Sequence, residues 1–435
     1  MKKIIWLIML GILLLNIGCN QDDESSGNAV VPQPTSNSCG SANNEFCAYS
    51  ADSKYAKLLL SCPFGSCDLN TLPFIGQVND KPTIENIADR LLVTHRWMGK
   101  RFIEVLSIAP KDLLTLMKPL TAIVIGSKIR PSYYSSATSA IYLDPAYLWL
   151  GNNEKNTIDK EEDYRSDYGD DLQFDFLWRY TLNNEYAYIH LPLDGDETRA
   201  INDIKYALIR LLYHELGHAN DFMPPDLLSD ISLEQTPYQA NVSVKNSRLS
   251  TRSSYPNNSD ILLSLAKISF GGKTPTDSQK KYQPEFLGGE FNTDRGTHYY
   301  SFYTQFEDLS MLFEMVMMNY HFSLEADVGF TNNPPKGSTV YEYFVKWGQR
   351  NRIYDKQIQL KTQELINLIL PDNTWSQEYF EKNRNKSPKP LLIDRNWIEN
   401  LNPAQLPTIR SENTTPKYNT KISRYIIEQD KQPLH

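Results

Sequence analysis

The most regular stretch of the chain runs from Thr198 to Asp221, where Ile201, Ile204, Leu208 and Leu211 recur at three- and four-residue steps. That period predicts one long amphipathic helix, halted by Pro224-Pro225, whose apolar stripe must face a core. His218 continues the same steps, so the stripe carries imidazole into the interior. A core that receives histidines must supply partners for them, because an unpaired polar group out of water costs free energy. Any fold open to this chain is built around that requirement.

Residues 211–221 read Leu-Leu-Tyr-His-Glu-Leu-Gly-His-Ala-Asn-Asp. His214 and His218 are four apart and share one helix face, so both rings can meet one metal ion. Glu215 points to the adjoining face, where its carboxylate can reach water at the metal without binding the metal itself. Zinc lowers the pKa of such water, and the carboxylate takes its proton as a polarised carbonyl is attacked. Neither variable slot of the His-Glu-x-x-His pattern is charged, and two of the seven histidines fall in it. The plainer reading of the same letters is a pair of buried, hydrogen-bonded histidines beside a surface glutamate. His95, His298 and His321 read as satisfied polar residues rather than ligands.

Tyr-His-Glu-Leu-Gly-His-Ala-Asn-Asp resembles the metal helix of the gluzincin metallopeptidases. In that group a glutamate on a later helix completes the zinc site. The segment Glu307-Asp-Leu-Ser-Met-Leu-Phe is similar to the Glu-x-Phe-Ala-Glu-x-Phe run of the anthrax lethal-factor-like peptidases. The resemblance implies Glu307 as third zinc ligand and Tyr300, seven residues earlier, as the phenol that steadies an oxyanion. Met311 stands where that family often has a second acid, so a carboxylate supporting a ligand histidine must come from Asp308, Glu314 or Asp221. Asp221, one turn beyond His218, is also the main rival to Glu307 as ligand.

The N-terminus reads as an address. Lys2 and Lys3 precede an apolar run from Ile4 to Leu15, too short to span a membrane, and then Asn16-Ile-Gly-Cys19. The end resembles a bacterial lipobox, which implies a signal peptide over 1–18 and a lipidated, palmitate-bearing Cys19. Residues 19–38 form a polar tether, and a lipid-anchored protein of the bacterial cell envelope, facing the periplasm or the exterior, is expected. In that oxidising setting Cys39, Cys47, Cys62 and Cys67 point to two disulfides, with three pairings open. Net charge is -8, or about -10 without Lys2 and Lys3, and no basic stripe is present. Nucleic acid is therefore not expected as a partner.

A cysteine-containing segment over 39–82 leads into a catalytic domain over 83–401, with an insertion over 223–297 and a polar tail over 402–435. Thr83 to Ser107 reads as helix, as do Pro110 to Met117, Tyr303 to Phe322 and most of Tyr341 to Leu370. Thr121 to Gly126 and Ser139 to Asp144 read as strands, and Ala187 to Leu191 as a third. The sum is an α+β, helix-dominated, zincin-like domain with a small sheet beside the metal helix. The strand 139–144 is either an edge that binds extended substrate or an internal core strand. The expected function is a membrane-tethered zinc endopeptidase acting on protein or peptide. A zinc amide hydrolase of cell-wall material and a non-catalytic lipoprotein binding module are the alternatives.

Overall fold

The computed structural model describes residues 46–65, 67–402 and 418–431. The expected signal peptide, tether, lipid site Cys19 and Cys39 lie outside them. Among the described residues no helix is long and apolar enough to cross a membrane. Cys62 and Cys67 form a disulfide.

The first sheet holds β1 (Cys47–Ala48), β2 (Leu91–Val93), β3 (Ala122–Ile125), β4 (Tyr133–Ser135) and β5 (Ala140–Leu143) in the order β1-β2-β3-β5-β4. The three central strands are parallel, with Leu91 opposite Ile123 and Ile123 opposite Ile141. Both faces are covered, which is why these strands are continuous apolar runs. Leu91, Val93, Ile123, Ile125, Ile141 and Leu143 enter the main core with Met98, Phe102 and Val105 of α1 (Arg96–Ile108). Leu92, Val124 and Tyr142 pack on the other side against Tyr55, Leu59 and Cys62.

One expectation changes here, and one open alternative is decided. The helix read over Thr83–Ser107 is split, into Ile84–Ala88 and α1, by strand β2. Helix propensities differ by about 0.5 kcal/mol per residue, whereas burying each of Leu91, Leu92 and Val93 is worth about 1.5–3 kcal/mol. Sheet burial therefore wins over local period. Strand β5 lies between β3 and β4, so it is internal, and the edge belongs to Tyr133–Ser135.

The second sheet is antiparallel, in the order β10-β9-β8-β6-β7, from β6 (Phe174–Leu182), β7 (Glu185–Tyr186), β8 (Glu325–Asn332), β9 (Val345–Arg350) and β10 (Lys389–Pro390). The expected strand over 187–191 does not form, and the helix read from Tyr341 begins only after β9. Strands β6 and β8 escape a period reading because they bury charge: Arg179 Nε donates to Asp327 at 2.9 Å, and Arg350 Nε to the same carboxylate at 2.6 Å.

Helix α2 (Ile201–Phe222) packs on β4 and α1. Beyond it come α3 (Asp260–Ser269), α4 (Pro284–Thr293), α5 (Gln305–Phe322), α6 (Lys356–Ile369) and α7 (Thr420–Lys431). Helices α2 and α5 run against each other, and α5 leads straight into β8. The class is α+β, with two five-stranded sheets rather than one small one. Residues 223–297, read as an insertion, contribute Leu249, Leu262, Leu287 and Phe291 to the main core. The segment before residue 83 joins the first sheet, because β1 pairs with β2. The polar tail ends in α7, which buries Ile426 and Ile427 against β6 and Trp397.

Candidate metal centre

Helix α2 starts where the Asp203 carboxylate reaches back to the Ala200 N–H at 2.7 Å, and it stops before Pro224. From Ala207 to Phe222 every residue is buried, so His214, Glu215 and His218 sit on a helix enclosed on all sides. Helix α5 is capped by Thr304, whose Oγ1 accepts from the Glu307 N–H at 3.2 Å. Glu307 thus lies in the first turn, where free N–H groups favour an ionised carboxylate.

The two helices bring three ligand atoms to one point. His214 Nε2 and Glu307 Oε2 are 3.2 Å apart, as are His218 Nε2 and Glu307 Oε2, and so are the two Nε2 atoms. A metal with bonds of ~2.0–2.1 Å holds its ligand atoms ~3.0–3.4 Å apart. Hydrogen bonding alone explains the equal sides poorly, because the two Nε2 atoms carry at most one proton each and three contacts compete for them. His214, His218 and Glu307 could therefore hold a metal ion.

Glu314 supplies the support that Met311 cannot. Its Oε2 stands 3.3 Å from His214 Nδ1, a placement that favours a proton on Nδ1 and leaves Nε2 as the atom turned to the centre. Tyr180 Oη donates to Glu314 Oε1 at 2.9 Å, and the Arg210 guanidinium lies 3.8 Å from the same carboxylate. Burial opposes charge on His214, but Glu307 and Glu314 outweigh it and raise the ring to about 9. Metal uptake must displace that proton.

Glu215 is buried beside the triangle. Burial pushes its carboxyl upward, partly offset by the two imidazoles and by the backbone N–H of Tyr134 on edge strand β4. A raised carboxylate is a stronger base, which is what proton abstraction requires. Tyr300 lies on the 3-10 turn Tyr299–Phe302, where its N–H donates to His298 Nδ1 at 2.9 Å. Its ring stacks beside that of His214, with centroids 6.5 Å apart.

The rival acids are engaged elsewhere. Asp221 Oδ1 accepts from the Ser250 N–H at 2.7 Å, and burial raises its carboxyl to about 6. Asp308 pairs with the buried Lys361. Among the remaining histidines, His95 Nδ1 meets Thr94 Oγ1 at 3.2 Å and His321 Nε2 meets Asp112 Oδ2 at 2.6 Å. Tyr180 and Arg210 were not singled out from sequence. Arg210 is one turn before His214 on the same face, which was legible; Tyr180 lies on a strand that was not. Comparison with known protein families, with curated proteins and with solved structures finds no match.

Proposed function

We propose that this chain is a zinc-dependent hydrolase, an endopeptidase of gluzincin type, held at the cell envelope through Cys19. The observation that carries the reading is the equal-sided His214–His218–Glu307 triangle with the Glu215 carboxyl buried beside it. Two imidazoles, one carboxylate and an adjacent non-ligand acid are the donor set of a catalytic zinc site. When bound, zinc supplies Lewis acidity to water and to a substrate carbonyl. Glu215 takes the proton of the attacking water and returns it to the departing amide nitrogen. Tyr300 donates to the carbonyl oxygen as charge gathers there. The edge strand Tyr133–Ser135 offers main-chain groups to an extended peptide beside Glu215.

Zinc analysis and a peptide-library digest of the wild type and Glu215→Gln test the reading. The wild type should hold about one zinc and cleave peptides. The variant should keep the metal and lose about 10²–10⁴-fold in rate. Absence of zinc in the wild type, or loss of zinc from the variant, would overturn it.

A further inference from the structure

The segment that follows β7, the first turn of α2 and Ile422 of α7 enclose a cavity of about 300 Å³. That is the lower end of the range for small-molecule sites, about 300–1,000 Å³. Tyr188, Ile189, Leu191 and Ile422 give it an apolar wall, and Arg199, Asn202 and Asp203 a polar one. Helix α2 begins at Ile201, thirteen residues before His214. At ~1.5 Å per residue that is about 20 Å along the helix, so the cavity is separate from the metal centre.

Arg199 is only 8% exposed. Its Nε donates to Trp149 O at 2.8 Å and its Nη2 to Ala146 O at 2.9 Å, and its Cζ lies 3.8 Å from the centre of the Trp149 ring. Nη1 has no hydrogen-bond partner among the described residues and is not sealed from solvent. No carboxylate among them pairs with this guanidinium. The two acids whose charge acts on it are engaged elsewhere. Asp203 accepts from the Ala200 N–H at 2.7 Å, and Glu154 accepts from the Leu150 N–H at 2.7 Å and from Arg101 Nη2 at 2.8 Å. Lys155, also buried, lies 4.7 Å from the same indole ring, and its Nζ meets only the backbone carbonyls of Gly195 and Glu197. Burial pulls the Arg199 guanidinium down to about 9. Buried charges are ordinarily paired, so two cations around one indole leave a counter-charge to come from outside. Ala200, which precedes α2, has no side chain to cap it, and first-turn N–H groups favour the same sign of charge.

We propose that this cavity is a second ligand site, which takes a small organic monocarboxylate. The carboxylate meets Arg199 Nη1 at the start of α2, and the apolar body lies against Tyr188, Ile189, Leu191 and Ile422. One remaining guanidinium nitrogen suits a single charge. The Asp203 carboxylate on the same wall disfavours a dianion such as phosphate. The inference does not depend on the hydrolase reading.

The test is calorimetric titration of the full chain with 3-phenylpropanoate, its neutral amide and inorganic phosphate. The carboxylate should bind saturably at one site, and the amide and phosphate at least about tenfold more weakly. Ile422→Trp fills the cavity and leaves Arg199 in place, so it should weaken the carboxylate at least about tenfold. Asp203→Asn keeps an acceptor for the Ala200 N–H and should tighten binding about threefold, because it removes the like charge. Arg199→Gln should lose the preference for carboxylate over amide. Arg199 also holds Ala146 and Trp149, so where that variant fails to fold, Ile422→Trp and Asp203→Asn decide. No saturable binding of 3-phenylpropanoate to the wild type, or equal binding of the acid and the amide, overturns the proposal. So does equal binding by Ile422→Trp and wild type, which would place the carboxylate elsewhere, such as at the metal centre.

Discussion

Gly217 lies directly against Ser310: a Cβ on Gly217 would stand 2.9 Å from Ser310 Oγ and 3.1 Å from Ser310 Cα. The contact sits where α2 and α5 touch, between His214 and His218 on one helix and one turn past Glu307 on the other. A ligand triangle with 3.2 Å sides needs the two backbones this close.

Gly217→Ala should therefore loosen the metal centre. Alanine gains about 1 kcal/mol in helix propensity, but overpacking against backbone costs about 1–3 kcal/mol, so the net loss of stability is about 0–2 kcal/mol. Ligand convergence suffers more. Chelator competition should show zinc held at least about tenfold more weakly, because small displacements of ligands are felt at once. Unchanged affinity would show that this contact does not set the triangle.

Glu314→Gln removes the charge facing His214 Nδ1 while keeping the shape. Zinc affinity should fall about 10–100-fold, the usual cost of losing such a support. Tyr180→Phe, which deletes only the bond to Glu314, should cost less. The same competition assay reads both, and an unaltered Glu314→Gln would mean that the tautomer of His214 is fixed by something else.

How much of this was legible beforehand depends on how local the signal is. The long helix, the strands around Val124 and Ile141 and the helix of Glu307 each carry their own period, and His214, Glu215, His218 and Glu307 lie on them. Strands β6 and β8 were hidden because Arg179 and Asp327 occupy inward positions that only their mutual pairing makes tolerable. Leu91–Val93 continued a helical spacing and became a strand only because sheet partners exist on both sides. Ser310 and Tyr180 matter through residues distant in sequence, so no window around them could reveal their roles.

Asp308 and Lys361 offer a test of which acid serves the metal. Both are buried and paired with each other. Asp308→Asn should leave Lys361 as an uncompensated buried cation and cost about 3–5 kcal/mol in denaturant melts. Adding Lys361→Met should restore most of that loss. Zinc content should stay at wild-type level in the double variant, and its loss there would make Asp308 part of the centre.

Asp430 gives the fold a pH dependence that does not involve the His214–His218–Glu307 group. Its carboxyl is fully buried on α7, where Oδ2 accepts from Tyr186 Oη at 2.6 Å and from Trp397 Nε1 at 2.7 Å. Burial raises it to about 7, against the lowering influence of Tyr186, Arg179 and Trp397. In the unfolded chain an aspartate titrates near about 4, so between about pH 4 and pH 7 the folded protein keeps a proton that the unfolded chain has released. The folded state binding more protons means that stability contributed by this group is complete at the acid end and declines as pH rises to about 7. At about 1.4 kcal/mol per pK unit the decline reaches at most about 4 kcal/mol. Asp430→Asn cannot titrate and should lack it. Denaturant melts of both proteins across that range should show wild type ahead near pH 4 and its advantage shrinking towards neutrality. A constant difference across the range would mean that Asp430 is ionised in the fold and that Arg179 outweighs its burial.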